Sequence, residues 1–142
     1  TALDVTVQAQ VLDLMRELKD EYQMSVILIS HNLGVVASMC DRIMVMYGGV
    51  VVEEGSSVDI FKDPRHPYTQ GLLASIPSIA EDKEELYSIP GTVPTFTAPV
   101  TRCRFADRCA YACEQCTCAE PPLVDIGNGR KVRCIKAAGK EE

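Results

Sequence analysis

Six of the seven cysteines lie within one C-terminal stretch, and Cys40 alone lies in the first hundred residues. Since no export signal is visible, reduced thiolates that bind a metal are favoured over disulfides or free thiols. Four thiolates suit Zn²⁺ or an iron–sulfur cluster. The spacing C-x5-C at the start of the stretch fits no common zinc site, although one C-x2-C pair keeps zinc open. Cys103, Cys109, Cys116 and Cys134 make a four-thiolate set, and Cys113 and Cys118 are additional.

His31 is the second candidate for chemistry, because it follows the apolar run Ser25–Ser30 and precedes a helix that Asn32 can cap. Ligands of open α/β sheets bind at the carboxyl ends of the strands, and helix N-termini attract anions. His31 could therefore donate a hydrogen bond to a phosphate oxygen, or it could simply cap the helix or pack in a loop. Asp4 is similarly ambiguous, because an N-cap needs no further function.

The first 75 residues have the pattern of α/β structure. Apolar residues recur at helical spacing from Val7 to Tyr22, which predicts an amphipathic helix after Asp4. The run Ser25–Ser30 predicts a strand buried on both faces of a parallel sheet. A helix should follow Asn32.

A hairpin should follow, in which Gly48-Gly49 joins the strands Arg42–Tyr47 and Val50–Glu54. A short helix capped by Ser56 or Ser57 should end near Lys62, and a further helix should cover Tyr68–Ser75.

Composition predicts three segments: an α/β part (1–75), a Pro-rich linker (76–101) and a Cys-rich, loop-rich extension with a tail (102–142). Four acidic residues at 81–85 predict a charged surface stretch, and Gly127-Asn128-Gly129 predicts a turn. Six basic residues flank the cysteines; they could offset the charge of a bound cluster or be ordinary solvated surface. They are Arg102, Arg104, Arg108, Arg130, Lys131 and Arg133.

The formal net charge of −6 argues against nucleic-acid binding and against an electrostatic membrane anchor. No apolar run reaches the ~18 residues that span a bilayer. Any membrane association should therefore depend on a protein partner. The start at Thr1, without Met, is typical of a sequence taken from the middle of a longer protein.

Several motifs resemble the ATP-binding subunits of ABC transporters, in particular the oligopeptide/dipeptide (nickel) importer subfamily. Thr1-Ala-Leu-Asp4 and Ile29-Ser-His-Asn32 resemble that family's D-loop and switch-histidine segment, and Gly48–Gly55 resembles the hairpin that follows. The run Asp63-Pro-Arg-His-Pro-Tyr-Thr, and Pro90-Gly-Thr-Val-Pro94 before the cysteines, are similar to the extension of the peptide importers. The resemblance implies the C-terminal part of an ABC-type nucleotide-binding domain, with parallel strands, an antiparallel hairpin and flanking helices.

The resemblance also implies roles for individual residues. His31 would contact the γ-phosphate of ATP, and Asp4 would meet the opposing subunit and shape the hydrolytic site. Cys103, Cys109, Cys116 and Cys134 would hold the [4Fe–4S] cluster that some members contain, with zinc as the alternative. Implied cofactors of the intact protein are ATP and Mg²⁺. Implied partners are a second ATPase subunit, the transmembrane permease subunits and, indirectly, a solute-binding protein, at the cytoplasmic face of the cell membrane.

The departure from the family is that the sequence holds no G-x-x-x-x-G-K-[ST] phosphate loop, no signature loop and no carboxylates before the D-loop. Phosphoryl transfer needs the phosphate cradle, a Lys, Mg²⁺ and a positioned water together. This chain alone is therefore predicted to be inactive as an ATPase. The main alternative is a free-standing metal-binding or interaction module on an α/β scaffold. A thiol redox enzyme is disfavoured, because the C-x-x-C pair Cys113 and Cys116 lies outside any predicted strand–helix unit.

Overall fold

The computed structural model describes residues 4–76 and 87–138, and the chain divides into two units, Thr1–Asp41 and Arg42–Glu142. The acidic stretch predicted at 81–85 lies outside the described residues. These two units differ in kind from the three segments predicted from composition. The segment boundaries predicted at 75/76 and 101/102 therefore stay predictions.

Two capped helices form the first unit. Helix α1 spans Val5–Glu21, and the Asp4 carboxylate accepts a hydrogen bond from Thr6 N at 2.9 Å. Helix α2 spans Leu33–Met39, and the Asn32 side chain accepts from the backbone N–H groups of residues 34 and 35. Both predicted helices and both predicted caps are confirmed.

The buried parallel strand predicted at Ser25–Ser30 is wrong for this structure. Residues 24–30 form neither helix nor strand, and Ile27 and Ile29 are 92% and 94% exposed. A buried strand needs hydrogen-bonding neighbours, and the described residues of this unit, 4–41, contain no strand that could provide them. Strand pairs in the described parts of the chain are all antiparallel.

The second unit begins with the predicted hairpin, in which β1 (Arg42–Tyr47) pairs antiparallel with β2 (Val50–Ser56). Gly48 and Gly49 have φ values of +55° and +86°, the conformations that this two-residue turn requires. The hairpin is confirmed.

The Cys-rich segment joins the same sheet. Its strands β3 (Val124–Asp125) and β4 (Lys131–Val132) flank the predicted turn, where residues 127–129 all have positive φ. Strand β4 pairs with β2, with Glu53 opposite Val132, so the sheet order is β1-β2-β4-β3. The loop-rich extension is therefore anchored to the α/β part through backbone hydrogen bonds.

Short helices connect these strands. Ser56 caps α3 (Ser57–Lys62), and His66 caps α4 (Pro67–Ala74) by accepting a hydrogen bond from Tyr68 N on its Nδ1 atom. In the Cys-rich segment, a 3₁₀ turn spans Ala106–Arg108. Two small helices, α5 (Glu114–Cys118) and α6 (Ile135–Ala138), complete it. Described residues 87–101 of the predicted linker form neither helix nor strand.

The core of the second unit contains Tyr47, Val52 and Phe105. The Tyr47 and Phe105 rings meet edge to face at a centroid distance of 5.1 Å, and Tyr68 packs against both. Phe105 comes from the Cys-rich segment and is buried beside the hairpin. Aromatic packing thus adds to the backbone pairing that holds this segment on the sheet.

A buried carboxylate fixes the loop before α4. Glu53 is 1% exposed and accepts hydrogen bonds from Arg65 N at 2.7 Å and His66 N at 2.9 Å. Arg130 lies 3.7 Å from this carboxylate and also donates to Asp63 at 2.9 Å. A buried charge is tolerated only when it is paired and hydrogen-bonded, and both conditions hold here.

Replacing Glu53 with alanine is expected to lower the free energy of unfolding by about 3 kcal/mol, because the buried N–H of His66, the part-buried N–H of Arg65 and the buried guanidinium of Arg130 lose a partner. Urea unfolding followed by circular dichroism measures the change. The control is Asp107→Ala, which removes an exposed ion pair with Arg102 (side chains 52% and 42% exposed) and should leave the unfolding midpoint unchanged. Equal shifts for the two variants would show that the buried network is not stabilising.

Candidate metal centre

Four of the cysteines line one cavity: Cys103, Cys109, Cys116 and Cys134. These are the four ligands expected from the sequence. The volume of about 20 Å³ is close to what one water molecule needs. The wall also includes His66, Phe105, Ala106, Tyr111, Ile135 and Lys136.

Local structure explains how distant cysteines reach one place. Cys103 and Cys109 flank the 3₁₀ turn, Cys116 lies in α5, and Cys134 lies between β4 and α6. Cys103 N donates to the Cys116 carbonyl at 2.9 Å, which joins two of the walls directly. Cys134 is brought in because β4 pairs with β2.

Burial favours the neutral form of three thiols on the cavity wall, Cys103, Cys109 and Cys116. Burial raises the pKa of Cys103, and burial is also the main cause of the raised pKa values of Cys109 and Cys116. A hydrogen bond from Cys116 instead lowers the pKa of Cys113. A bound cation would supply the charge that stabilises the thiolates, and its uptake would release protons.

The four thiols on the cavity wall are a donor set that both Zn²⁺ and iron–sulfur sites use. Among residues 4–76 and 87–138, no group of three or more His, Cys, Asp or Glu is arranged to hold one metal ion. The four thiolates of a [4Fe–4S] cluster bind four different irons, whereas those of a structural zinc site bind one ion. A cluster would have to widen the small cavity.

Each of the six basic residues near the cysteines is held by other protein groups. Arg133, for example, donates to the Val51 carbonyl at 2.9 Å, and Arg108 donates to the Pro90 carbonyl at 2.8 Å. The carboxylate partners are Asp107 for Arg102, Glu120 for Arg104, Asp63 for Arg130 and Glu54 for Lys131. These basic side chains therefore form hydrogen bonds and ion pairs within the protein, around the segments that contain the cysteines.

Sequence reasoning missed His66, which is 2% exposed and lies on the cavity wall. Burial lowers its pKa to about 4, and a hydrogen bond with the Arg133 backbone opposes the shift. The imidazole is therefore neutral at pH 7, and it contacts the residue immediately before Cys134. The sequence signal that could have indicated it is its position directly before Pro67, where a helix should begin and where His66 acts as the N-cap.

Acid should destabilise the second unit through His66. The pKa is 6.5 in the unfolded chain and about 4 in the folded one, so the unfolded state binds the proton first as pH falls. The free energy of unfolding should therefore fall by about 3 kcal/mol between pH 6.5 and pH 4 and be constant above pH 7. Urea titrations across this range measure it. His66→Gln should flatten the profile, and a flat wild-type profile would contradict the shift.

Asp4 and His31 belong to the other unit and line neither of the cavities beside the cysteines. Asp4 is the exposed N-cap of α1, and His31 is exposed in the bend before α2. Their nucleotide roles stay predictions.

None of the helices in the described ranges combines the length and apolar character that crossing a bilayer requires.

Comparison with known proteins agrees with the resemblance. Over its whole length the chain is 50% identical to a peptide import ATP-binding protein of Brucella abortus and covers 42% of that protein. A dipeptide transport ATP-binding protein of Haemophilus influenzae is 52% identical over 94% of the chain, which covers 40% of it. A Brucella ovis peptide import ATP-binding protein is 46% identical over 96% of the chain, again with 42% of its own length covered.

The chain is thus a relative of ABC-type peptide import ATP-binding proteins, as its motifs indicated, and it spans about two fifths of their length. More particularly, residues 52–116 match the model of the family described as "Oligopeptide/dipeptide transporter, C-terminal region". That range includes three of the four cavity cysteines, and Cys134 lies beyond it.

Proposed function

We propose that this chain is the C-terminal part of the ATP-binding subunit of a peptide importer, which couples ATP hydrolysis to peptide uptake in the intact protein. The supporting observation is the 50% identity that extends over all of the chain. A free-standing metal module is less well supported, because the match includes residues 1–41 as well as the Cys-rich segment.

In the intact subunit, His31 contacts the γ-phosphate of ATP, and Asp4 meets the opposing ATPase subunit. The exposed imidazole beside the N-terminus of α2 supports the first role, because it is free to approach a ligand. The exposed run 24–30 then pairs with strands of the rest of the subunit. Permease subunits bind the protein to the inner face of the membrane, and Mg²⁺ accompanies the nucleotide.

We also propose that Cys103, Cys109, Cys116 and Cys134 hold a [4Fe–4S] cluster. The four thiols around one cavity support this. The cluster's contribution is structural: it cross-links the 3₁₀ turn, α5 and the end of β4, where small elements bury little apolar surface. His66 and Phe105 lie on the wall of the same cavity and would pack beside the cluster.

The nucleotide assignment is tested by isothermal titration of Mg-ATP into the chain and into the full-length protein. The chain should show no binding in the micromolar range, since it lacks the phosphate loop, whereas the full-length protein should bind and hydrolyse ATP. Micromolar binding by the chain, or no hydrolysis by the full-length protein, would overturn the assignment.

A further inference from the structure

The Sγ atoms of Cys113 and Cys116 lie 3.5 Å apart, which is within hydrogen-bond distance for two sulfurs. Both are free and partly buried. Cys113 immediately precedes α5, and Cys116 N donates to its carbonyl at 2.9 Å, so one helical turn holds the pair together. A disulfide has an S–S distance of about 2.05 Å, so the sulfurs need to approach by only about 1.5 Å.

The two cysteines differ in what they face. Cys116 lines the four-thiol cavity, and its carbonyl accepts a hydrogen bond from Cys103 N. Cys113 is absent from the walls of both cavities. A bond between them would therefore move the Cys116 sulfur towards Cys113, which lines neither cavity, and would use the Cys116 thiolate in the disulfide.

We propose that Cys113 and Cys116 form a reversible disulfide with a low-molecular-weight disulfide as oxidant, and that this bond removes Cys116 from the metal-binding set. The gating part rests on the metal site proposed above. The reduced chain accepts a cluster on four thiolates, and the oxidised chain retains only Cys103, Cys109 and Cys134.

The reaction is a two-step thiol–disulfide exchange. The Cys113 thiolate attacks one sulfur of the small disulfide RSSR; its S–S bond breaks, a mixed disulfide forms and RS⁻ leaves. The Cys116 thiolate then attacks the Cys113 sulfur, the protein disulfide forms and a second RS⁻ leaves. The two protons lost by the protein thiols pass through solvent to the thiolates. One RSSR is reduced to two RSH, and two protein thiols are oxidised.

The link is tested on the metal-free chain, purified without oxygen and treated with oxidised glutathione. After alkylation of the remaining thiols, a protease that cleaves after glutamate cuts at Glu114, between the two cysteines, and fragmentation of the linked peptides in the mass spectrometer identifies which cysteines are joined. Wild type should carry the Cys113–Cys116 link in most molecules. Cys118→Ser, at the exposed end of α5, should keep the link, and Cys113→Ser should lose it.

Gating is tested by reconstituting the same samples with ferrous iron and sulfide. Oxidised wild type should take up at least about fivefold less iron than its reduced form, because three thiolates replace four. Oxidised Cys113→Ser should take up as much as the reduced protein.

A different cysteine pairing, or glutathione retained on Cys113, would overturn the disulfide even if the reduced chain binds iron normally. Equal iron uptake by the linked and reduced proteins would overturn the gating. No iron uptake by the reduced wild type would overturn the metal site and the gating together, while the peptide map still reports on the disulfide.

Discussion

Replacing Cys134 with alanine is expected to reduce the iron bound by the anaerobically reconstituted chain from about four atoms to less than about one. Cys134 is the one wall thiol that follows β4, so its loss removes the ligand that joins the cluster to the central sheet. Visible absorption and iron analysis measure the loss. The substitution should leave α6 intact, because Cys134 contributes its backbone carbonyl, not its thiol, to that helix.

The matched control is Cys118→Ala, which removes an exposed thiol that lies on neither cavity wall. It should retain the iron content and spectrum of the wild type. A loss of iron as large as that of Cys134→Ala would mean that the cavity is not the site. A wild type that stays colourless with reduced thiols would contradict the cluster itself.

Replacing His31 with alanine in the full-length protein is expected to lower kcat for ATP hydrolysis at least about 100-fold. This is the typical effect of removing one hydrogen-bond donor from charge that develops in the transition state. The apparent affinity for ATP should change much less, because the phosphate loop of the intact protein provides most of the binding. Phosphate release at varied ATP concentrations separates the two effects.

Gln10→Ala is the control for this experiment, because Gln10 is exposed on α1 and outside both capping interactions. It should leave both kinetic constants unchanged. If His31→Ala keeps more than about half of the wild-type kcat, His31 is not the γ-phosphate contact. If only KM rises, its contribution is to ground-state binding instead.

Local features of the fold could be predicted from the sequence because short-range interactions decide them. Asp4 and Asn32 cap helices through N–H groups two or three residues away. Gly48-Gly49 determines the hairpin because both positions need positive φ. The same reasoning left Ser56 and Ser57 as equal candidates, and the structure selects Ser56, whose hydroxyl accepts from Asp59 N.

Burial could not be predicted in the same way. The run Ser25–Ser30 is apolar enough for a buried strand, yet Ile27 and Ile29 are exposed. Apolar composition shows that a strand is favourable when neighbours exist, but the neighbours are contributed by other segments. Glu53 is the converse case, because a glutamate in a hairpin strand would be expected at the surface. Its burial is stabilised by Arg130 and by the backbone N–H groups of Arg65 and His66, which are distant in sequence.

The sequence by itself determined which proteins this chain resembles, its helix caps and turns, and the four cysteines that are candidate metal ligands. Only the tertiary structure decided that those cysteines share one cavity, that His66 lies on its wall, and that the Sγ atoms of Cys113 and Cys116 lie 3.5 Å apart. The physical reason is that thiol chemistry and local turns depend on residue type and short spacing. The cavity instead depends on β4 pairing with β2 across almost eighty residues, from Glu53 to Val132.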